Sequence, residues 1–241
     1  MTGGLRGLVA VVTGAAGGVG QAVSRHLADI GLQVFDLDRR RPEPAVGQYV
    51  AVDVANPNSI NRAVAEVMSS VSRIDCLVAA AGVSEEPTPA EHMDPAVWQR
   101  TLAVNLTGAF LTCHRVGQIM LEQRSGRIVT IASMSGAHIV NVPQQQVAYN
   151  ASKGGLVAMT KSLAYEWADR GVRVNALSPG YIDTPLLASK SYLHERWKAA
   201  TPLGRFAEPR EVAAAAAWLL SDEAAFCCGT ELLMDGGYSL V

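Results

Sequence analysis

Short apolar runs alternate along the chain with longer stretches in which apolar residues recur at helical spacing. Seven runs rich in Val, Ile and Leu stand out: residues 8–14 (LVAVVTG), 33–38 (QVFDLD), 49–54 (YVAVDV), 75–82 (DCLVAAAG), 127–133 (RIVTIAS), 172–180 (VRVNALSPG) and 231–237 (ELLMDGG). They are apolar on both faces, the pattern of strands covered by helices on each side. Residues 18–31 read as a helix ending at Gly31, and 56–72 as a helix with Asn56 as its cap and Pro57 in its first turn. Two long helices are expected over 106–123 and 147–169. This alternation predicts an α/β fold: a doubly wound, seven-stranded parallel sheet with helices on both faces. No repeat, low-complexity tract or linker interrupts it, so residues 1–241 read as a single domain. Ligands of such sheets bind beyond the carboxyl ends of the strands, and the chemistry is sought there.

Composition narrows the function classes. The 241 residues are 49% apolar with a formal net charge of −2, which argues for a substantial core and against a nucleic-acid partner. The one basic cluster, Arg39-Arg40-Arg41, reads as a solvated turn. No apolar stretch reaches the roughly 18–20 residues of a membrane span, and no membrane partner is expected. The apolar run near the N-terminus leads straight into a Gly-rich turn and reads as a first strand rather than a signal segment. Cys76, Cys113, Cys227 and Cys228 lack metal-ligand spacing and the five histidines are dispersed, so no metal site is expected. The cysteines read as free thiols in a reducing, cytoplasmic compartment.

The strand ends carry the informative residues. The first run leads into TGAAGGVG, Thr13 to Gly20, with a helix following. Glycines there permit a tight turn, let backbone N–H groups approach a pyrophosphate and place it at the partial positive charge of a helix N-terminus. A purely structural turn is the alternative. The second run ends at Asp38, where a carboxylate accepts hydrogen bonds from a ribose 2′-hydroxyl and repels a 2′-phosphate. Asp36 competes for that register, and Arg39 would pair with a 2′-phosphate. NAD is therefore expected, with NADP as the less favoured cofactor. Asp53 and Val54 close the third run, where Asp53 either accepts the exocyclic amine of an adenine or caps the next turn. Ala81 and Gly82 end the fourth with side chains small enough for a flat ligand to pass. Tyr149 and Lys153 stand four residues apart in VAYNASKGG, on one face of a helix. An ammonium beside a phenol favours the phenolate, and lowering a phenol from its usual ~10 by about two to three units makes it a base near neutral pH. Ser133, at the end of the fifth run, is placed to bond a substrate oxygen.

Taken together these segments resemble the short-chain dehydrogenase/reductase family, over nearly the whole chain from Leu8 to about Tyr238. TGAAGGVG resembles the family's TGxxxGxG cofactor turn, bringing in Gly14, Gly18, Val19 and Gly20. YNASK matches its YxxxK motif, VTIASMSG holds its catalytic serine as Ser133, and LAVNLTGAF its relay asparagine as Asn105. SPGYIDT matches its PGxxxT segment, with Pro179, Gly180, Ile182 and Thr184 at the nicotinamide end. The family's frequent NNAG is here Ala79-Ala80-Ala81-Gly82, without either asparagine. The resemblance implies a single-domain Rossmann fold, a dinucleotide cofactor, a homo-oligomer (tetramer or dimer) and a reversible conversion of a secondary alcohol to a ketone. In it Tyr149 is the acid/base, Ser133 orients the substrate, Lys153 binds the nicotinamide ribose and lowers the Tyr149 pKa, and Asn105 holds a water in a proton relay.

The loop 134–148 is worded like members acting on polyols and ketose sugars. Together with a lid at about 184–206, it is expected to choose the small-molecule alcohol or ketone. His138, Asn141, Gln145, Tyr181 and Trp197 are the expected wall residues. An NADP(H)-dependent ketoreductase of the 3-oxoacyl reductase type is the second reading. A dinucleotide-binding regulator without turnover is the third, and the complete Asn–Ser–Tyr–Lys set argues against it.

Overall fold

The computed structural model describes residues 3–188 and 190–240. Seven strands form one parallel sheet: β1 (Val9–Thr13), β2 (Gln33–Asp38), β3 (Gln48–Ala51), β4 (Cys76–Ala79), β5 (Gly126–Ile131), β6 (Val172–Pro179) and β7 (Glu231–Met234). Their order is β3-β2-β1-β4-β5-β6-β7, so the winding reverses between β1 and β4. The helices are α1 (Gly18–Asp29), α2 (Pro57–Ser70), α3 (Pro95–Leu102), α4 (Ala109–Gln123), α5 (Val147–Trp167), α6 (Pro185–Ala188), α7 (His194–Ala199) and α8 (Pro209–Leu220). Among the described residues, no helix is long and apolar enough to cross a membrane.

Two apolar layers follow from the strand period of two. Along β1, Val9 and Val11 face a core built with Val64 and Val67 of α2, Val116 and Met120 of α4 and Trp167 of α5. Ala10 and Val12 face the opposite core, with Val23 and Leu27 of α1 and Val212, Ala216 and Leu220 of α8. Both faces of the strand are therefore buried, which is why the runs are continuously apolar rather than alternating.

The ends of the elements differ from the expected spans for identifiable reasons. The third strand stops at Ala51 rather than continuing to 54. The Asp53 N–H leaves the ladder for Ser59 Oγ at 3.0 Å, at the start of α2. Asn56 caps that helix through Asn58 N and Ser59 N, as expected. The fourth strand stops at Ala79, and the Ala81 N–H is taken by Thr13 Oγ1 at 3.3 Å. The helix expected over 106–123 starts as a π-helical segment, Ala103–Gly108, before α4. Asp36, the rival of Asp38, is fully buried and accepts the Gly47 N–H at 2.7 Å, which fastens the loop leading into β3.

Candidate active site

The crevice at the reversal between β1 and β4 is the nucleotide-sized feature of the molecule. Gly14, Gly17, Asp38, Arg39, Asp53, Val54, Ala81 and Gly82 help to line a cavity of about 240 Å³. Gly14 has a φ of +70°, and a Cβ there would lie 2.7 Å from the Ala81 backbone. A Cβ on Gly20 would lie 2.1 Å from the Gly14 carbonyl oxygen, so α1 presses directly on the turn. Thr184 sits over the same turn, its methyl 2.7 Å from where a Gly18 Cβ would be, while Val19 packs into the α1 core. The N-terminus of α1 has no side-chain cap and no acid in its first turn, unlike the Asn56-capped α2. Its N–H groups and partial positive charge are thus left for an anion.

Asp38 borders the same turn. Its Oδ2 accepts the Ala16 N–H and its Oδ1 the Arg40 N–H, both at 3.1 Å, so the carboxylate is fixed rather than free to swing away. Asp53 lines the cavity and accepts the Ala55 N–H at 3.0 Å, the bond of a turn cap. An uncapped helix, a glycine cradle and a fixed carboxylate lining one crevice fit a dinucleotide.

The second group of residues meets beside this crevice. Tyr149 and Lys153 lie on one face of α5, with the Lys153 ammonium 5.7 Å from the centre of the Tyr149 ring. The Ser133 hydroxyl lies close enough to the Tyr149 phenol to favour its ionisation, and it accepts the Ser135 N–H at 3.1 Å. Small residues around the pair let neighbours approach. A Cβ on Gly155 would meet Leu106 at 2.9 Å, and Gly154 lies against the Gly136 backbone of the loop preceding α5. The glycines of VAYNASKGG are therefore packing positions within the protomer.

The ionisation pattern differs from expectation. Burial pushes the Tyr149 phenol up, the nearby Ser133 hydroxyl opposes this, and Glu85 adds to it. The Lys153 ammonium donates to the Ile131 carbonyl oxygen at 2.7 Å. Burial brings Lys153 itself down to about 8. The Asn105 side chain is fully engaged within the protein. It accepts the Val83 N–H at 2.8 Å, donates to the Val83 carbonyl at 2.9 Å and donates to Ser152 Oγ at 3.0 Å. The amide is thus spent on a clamp that ties the chain after β4 to α5.

The remaining expected residues divide. Pro179 and Gly180 lie at the end of β6, where the Pro179 carbonyl accepts the Met134 N–H at 2.9 Å and Gly180 packs on Asp235. Ile182 bridges to Ala207 beside them. Of the expected wall residues, Tyr181 is half-buried, with its hydroxyl inaccessible. Trp197 is fully buried behind it, the rings stacked at 4.2 Å. His138 pairs with Glu231 at 2.8 Å, Asn141 is bonded to Ser135, Gln146 and Asn150, and Gln145 is exposed. Two residues escaped the sequence reading. Gln144 is buried beside Tyr181, and Glu85 accepts the Tyr149 N–H at 2.9 Å. The available signal was weak: an acid six residues past the end of β4, whose partner lies 64 positions away.

Comparison with known proteins agrees with this geometry. Residues 14–239 match a family model described as enoyl-(acyl carrier protein) reductase. D-threitol dehydrogenase of Mycolicibacterium smegmatis is 41% identical, covering 98% of this chain and 94% of the relative. NAD-dependent glycerol dehydrogenase of Listeria innocua is 37% identical, covering 96% and 94%. The solved structure of Thermoplasma acidophilum aldohexose dehydrogenase superposes with a TM-score of 0.94 at 32% identity, covering 100% of this chain and 97% of the other. With the glycine cradle, the Ser–Tyr–Lys cluster and the sheet order all in place, the chain belongs to the short-chain dehydrogenase/reductase family of oxidoreductases acting on CH–OH groups.

Proposed function

We propose that the protein is an NAD(H)-dependent dehydrogenase that interconverts a secondary alcohol of a polyol and the corresponding ketone, with Tyr149 as acid/base. The observation that carries this reading is the meeting of the Ser133 hydroxyl, the Tyr149 phenol and the Lys153 ammonium beside a cradle bordered by the fixed Asp38 carboxylate. The names of the D-threitol and glycerol dehydrogenases support the substrate class, and the second supports the nucleotide.

When bound, the oxidised nicotinamide supplies a hydride acceptor and a positive charge, and positive charge favours a phenolate. Gly14, Gly18, Val19 and Gly20 would hold the pyrophosphate, and Asp38 the adenosine ribose. Asp53, Val54, Ala81 and Gly82 would flank the adenine side. Tyr149 and Lys153 would take the nicotinamide ribose, and Pro179, Gly180, Ile182 and Thr184 the nicotinamide end. Ser133 donates to the substrate oxygen and fixes it against Tyr149. The raised phenol is protonated at neutral pH, the form that delivers a proton to a ketone oxygen. In the opposite direction the phenolate removes the carbinol proton, and Lys153 passes it outward. With the Asn105 amide engaged, its part in that relay falls to its main-chain carbonyl, in the π-helical turn. Residues 184–206 serve as the cover of the substrate side. The exposed Phe110 of α4 and Val147 of α5 mark a contact face for a homo-oligomer, dimer or tetramer.

Arg39 and Arg40 also line the cavity, which favours an NADP(H)-dependent ketoreductase of the 3-oxoacyl reductase type as the second reading. Initial rates with D-threitol, glycerol and 2-butanol, each with NAD⁺ and with NADP⁺, separate the two. The expected result is turnover of the polyols with kcat/KM for NAD⁺ at least about ten-fold above NADP⁺, the effect of ~1.4 kcal/mol. Preference for NADP⁺ with acyl-linked ketones would establish the second reading instead.

A further inference from the structure

Four of the seven buried side-chain atoms without a hydrogen-bond partner fall in one quarter of the molecule: Glu85 Oε2, Gln144 Oε1, Tyr181 OH and Trp197 Nε1. The count concerns the described residues. Gln144 and Trp197 lie close enough to Tyr181 to act on its hydroxyl, yet none of the three meets hydrogen-bond geometry. Glu85 is the charged member, and it is only 2% exposed. A buried carboxylate oxygen without a partner is costly, and native structures retain one where a ligand completes it.

The position of Glu85 is built with care. Asn105 grips Val83 by both its N–H and its carbonyl, at 2.8 and 2.9 Å. Gln146 Nε2 then holds Ser84 Oγ at 2.7 Å and the Glu85 carbonyl at 2.8 Å. Glu85 Oε1 accepts the N–H of Tyr149 itself, in the first turn of α5, which has no side-chain cap of its own. One carboxylate oxygen is thus spent on locating the residue that carries the phenol, and the other is left over. The charge of Glu85 acts on the Tyr149 phenol on one side and on the Lys190 ammonium on the other. Lys190 comes from the covering segment, is 8% exposed, and reaches Ser84 Oγ at 3.5 Å.

We propose that Glu85 is the specificity-determining residue of the substrate site: its Oε2 accepts a hydrogen bond from a second hydroxyl of the substrate while Ser133 and Tyr149 hold the reacting one. This rests on the polyol reading above and names the group that carries it. Capping alone would need one oxygen and would be met by an exposed acid or an asparagine at the helix entry. A buried acceptor beside the reacting phenol rewards a vicinal hydroxyl and penalises its absence, because the analogue without it leaves the carboxylate oxygen unpaired.

Glu85→Gln isolates the two roles. The glutamine carbonyl keeps the bond to the Tyr149 N–H, and the free atom changes from an acceptor into an amide donor. The measurement is kcat/KM for 2,3-butanediol and for 2-butanol, which differ by one hydroxyl, in wild type and variant with saturating cofactor. Wild type is expected to favour the diol, and the diol-to-monoalcohol ratio to fall in Glu85→Gln by on the order of 10–100-fold. Equal losses on both substrates would show that Glu85 acts only through the position of Tyr149 and would overturn the proposal. Should the variant not fold, the wild type still decides: equal kcat/KM for diol and monoalcohol leaves no role for a second-hydroxyl contact. Turnover of D-threitol with an unchanged ratio in the variant would sink Glu85 alone. Turnover of monoalcohols without any polyol activity would sink the substrate reading together with it.

Discussion

The two sides of the crevice are made of different material. The nucleotide side is built from backbone: Gly14 at positive φ against Ala81, Gly20 against the Gly14 carbonyl, and an α1 N-terminus without a side-chain cap. The proposed substrate side is built from side chains: Glu85, Gln144 and Tyr181 with unpartnered polar atoms, backed by Trp197, Phe206 and Tyr238 in ring contact with Tyr181. Backbone geometry offers the same N–H groups whatever the substrate, so it suits a cofactor common to many reactions. Side chains can be exchanged one at a time without disturbing the fold, so they suit the part that distinguishes one alcohol from another.

The largest effect is expected where the two sides meet. Tyr149→Phe removes the proton donor and leaves the ring in place, so kcat should fall by about 10²–10⁴. Cofactor affinity, followed by quenching of protein fluorescence, should change little. Retention of near-normal turnover would mean that the comparison has its centre in the wrong place. Gly14→Ala attacks the backbone side alone. It forces a side chain into a left-handed φ and against the Ala81 backbone at 2.7 Å. Nucleotide affinity should drop by roughly 10–100-fold, with a stability loss on the order of 1–2 kcal/mol in thermal unfolding. The same readouts on Gln144→Ala should leave nucleotide affinity unchanged and move only substrate KM.

Lys153 gives a prediction in which stability and activity part company. Its folded pKa, about 8, lies below the usual value of a lysine because burial disfavours the ammonium. Between pH 8 and about 10.4 the unfolded chain therefore binds more protons than the folded one, and folding stability contributed by this group rises with pH across that window. At pH 7 the buried ammonium is a net cost. Lys153→Met should abolish turnover, yet raise the stability of the cofactor-free enzyme at pH 7 by on the order of 1–3 kcal/mol. That gain should shrink as pH rises from 8 towards 10. A variant destabilised at pH 7 would show that the bond to the Ile131 carbonyl outweighs the burial cost.

What the sequence revealed divides along the same line. The glycine turn, Asp38 and the seven strands were legible because each is a local demand: a turn needs glycine, and a buried strand needs a continuous apolar run. Tyr149 and Lys153 were legible through their spacing on one helix. Glu85 was not, since its partner is a backbone N–H 64 residues away, and no periodicity links an acid in a loop to a helix entry. Trp197 was misplaced for a related reason. An aromatic in a polar, irregular segment reads as exposed wall, whereas it anchors α7 against Tyr181 from behind. Likewise the Asn105 amide belongs to Val83 and Ser152, contacts set by tertiary packing around a π-helical turn.

Asp38 is the one place where the backbone side uses a side chain to discriminate, and it should show the smallest effect. Both carboxylate oxygens already hold backbone N–H groups, Ala16 with Oδ2 and Arg40 with Oδ1. The group cannot turn away from a 2′-phosphate, and its charge stays at the cavity wall. Asp38→Asn keeps the size and loses the charge, while the amide can satisfy only one of the two N–H groups. The Arg39 and Arg40 guanidinium groups, also lining the cavity, would then meet a 2′-phosphate without a competing carboxylate. The ratio of kcat/KM for NAD⁺ to that for NADP⁺ should fall by about ten-fold, or ~1.4 kcal/mol. The ratio for 2,3-butanediol over 2-butanol should stay where it was. A change in both ratios would mean that the nucleotide and substrate sides are coupled through the Gly14–Ala81 contact, and the division of labour between backbone and side chains would no longer hold.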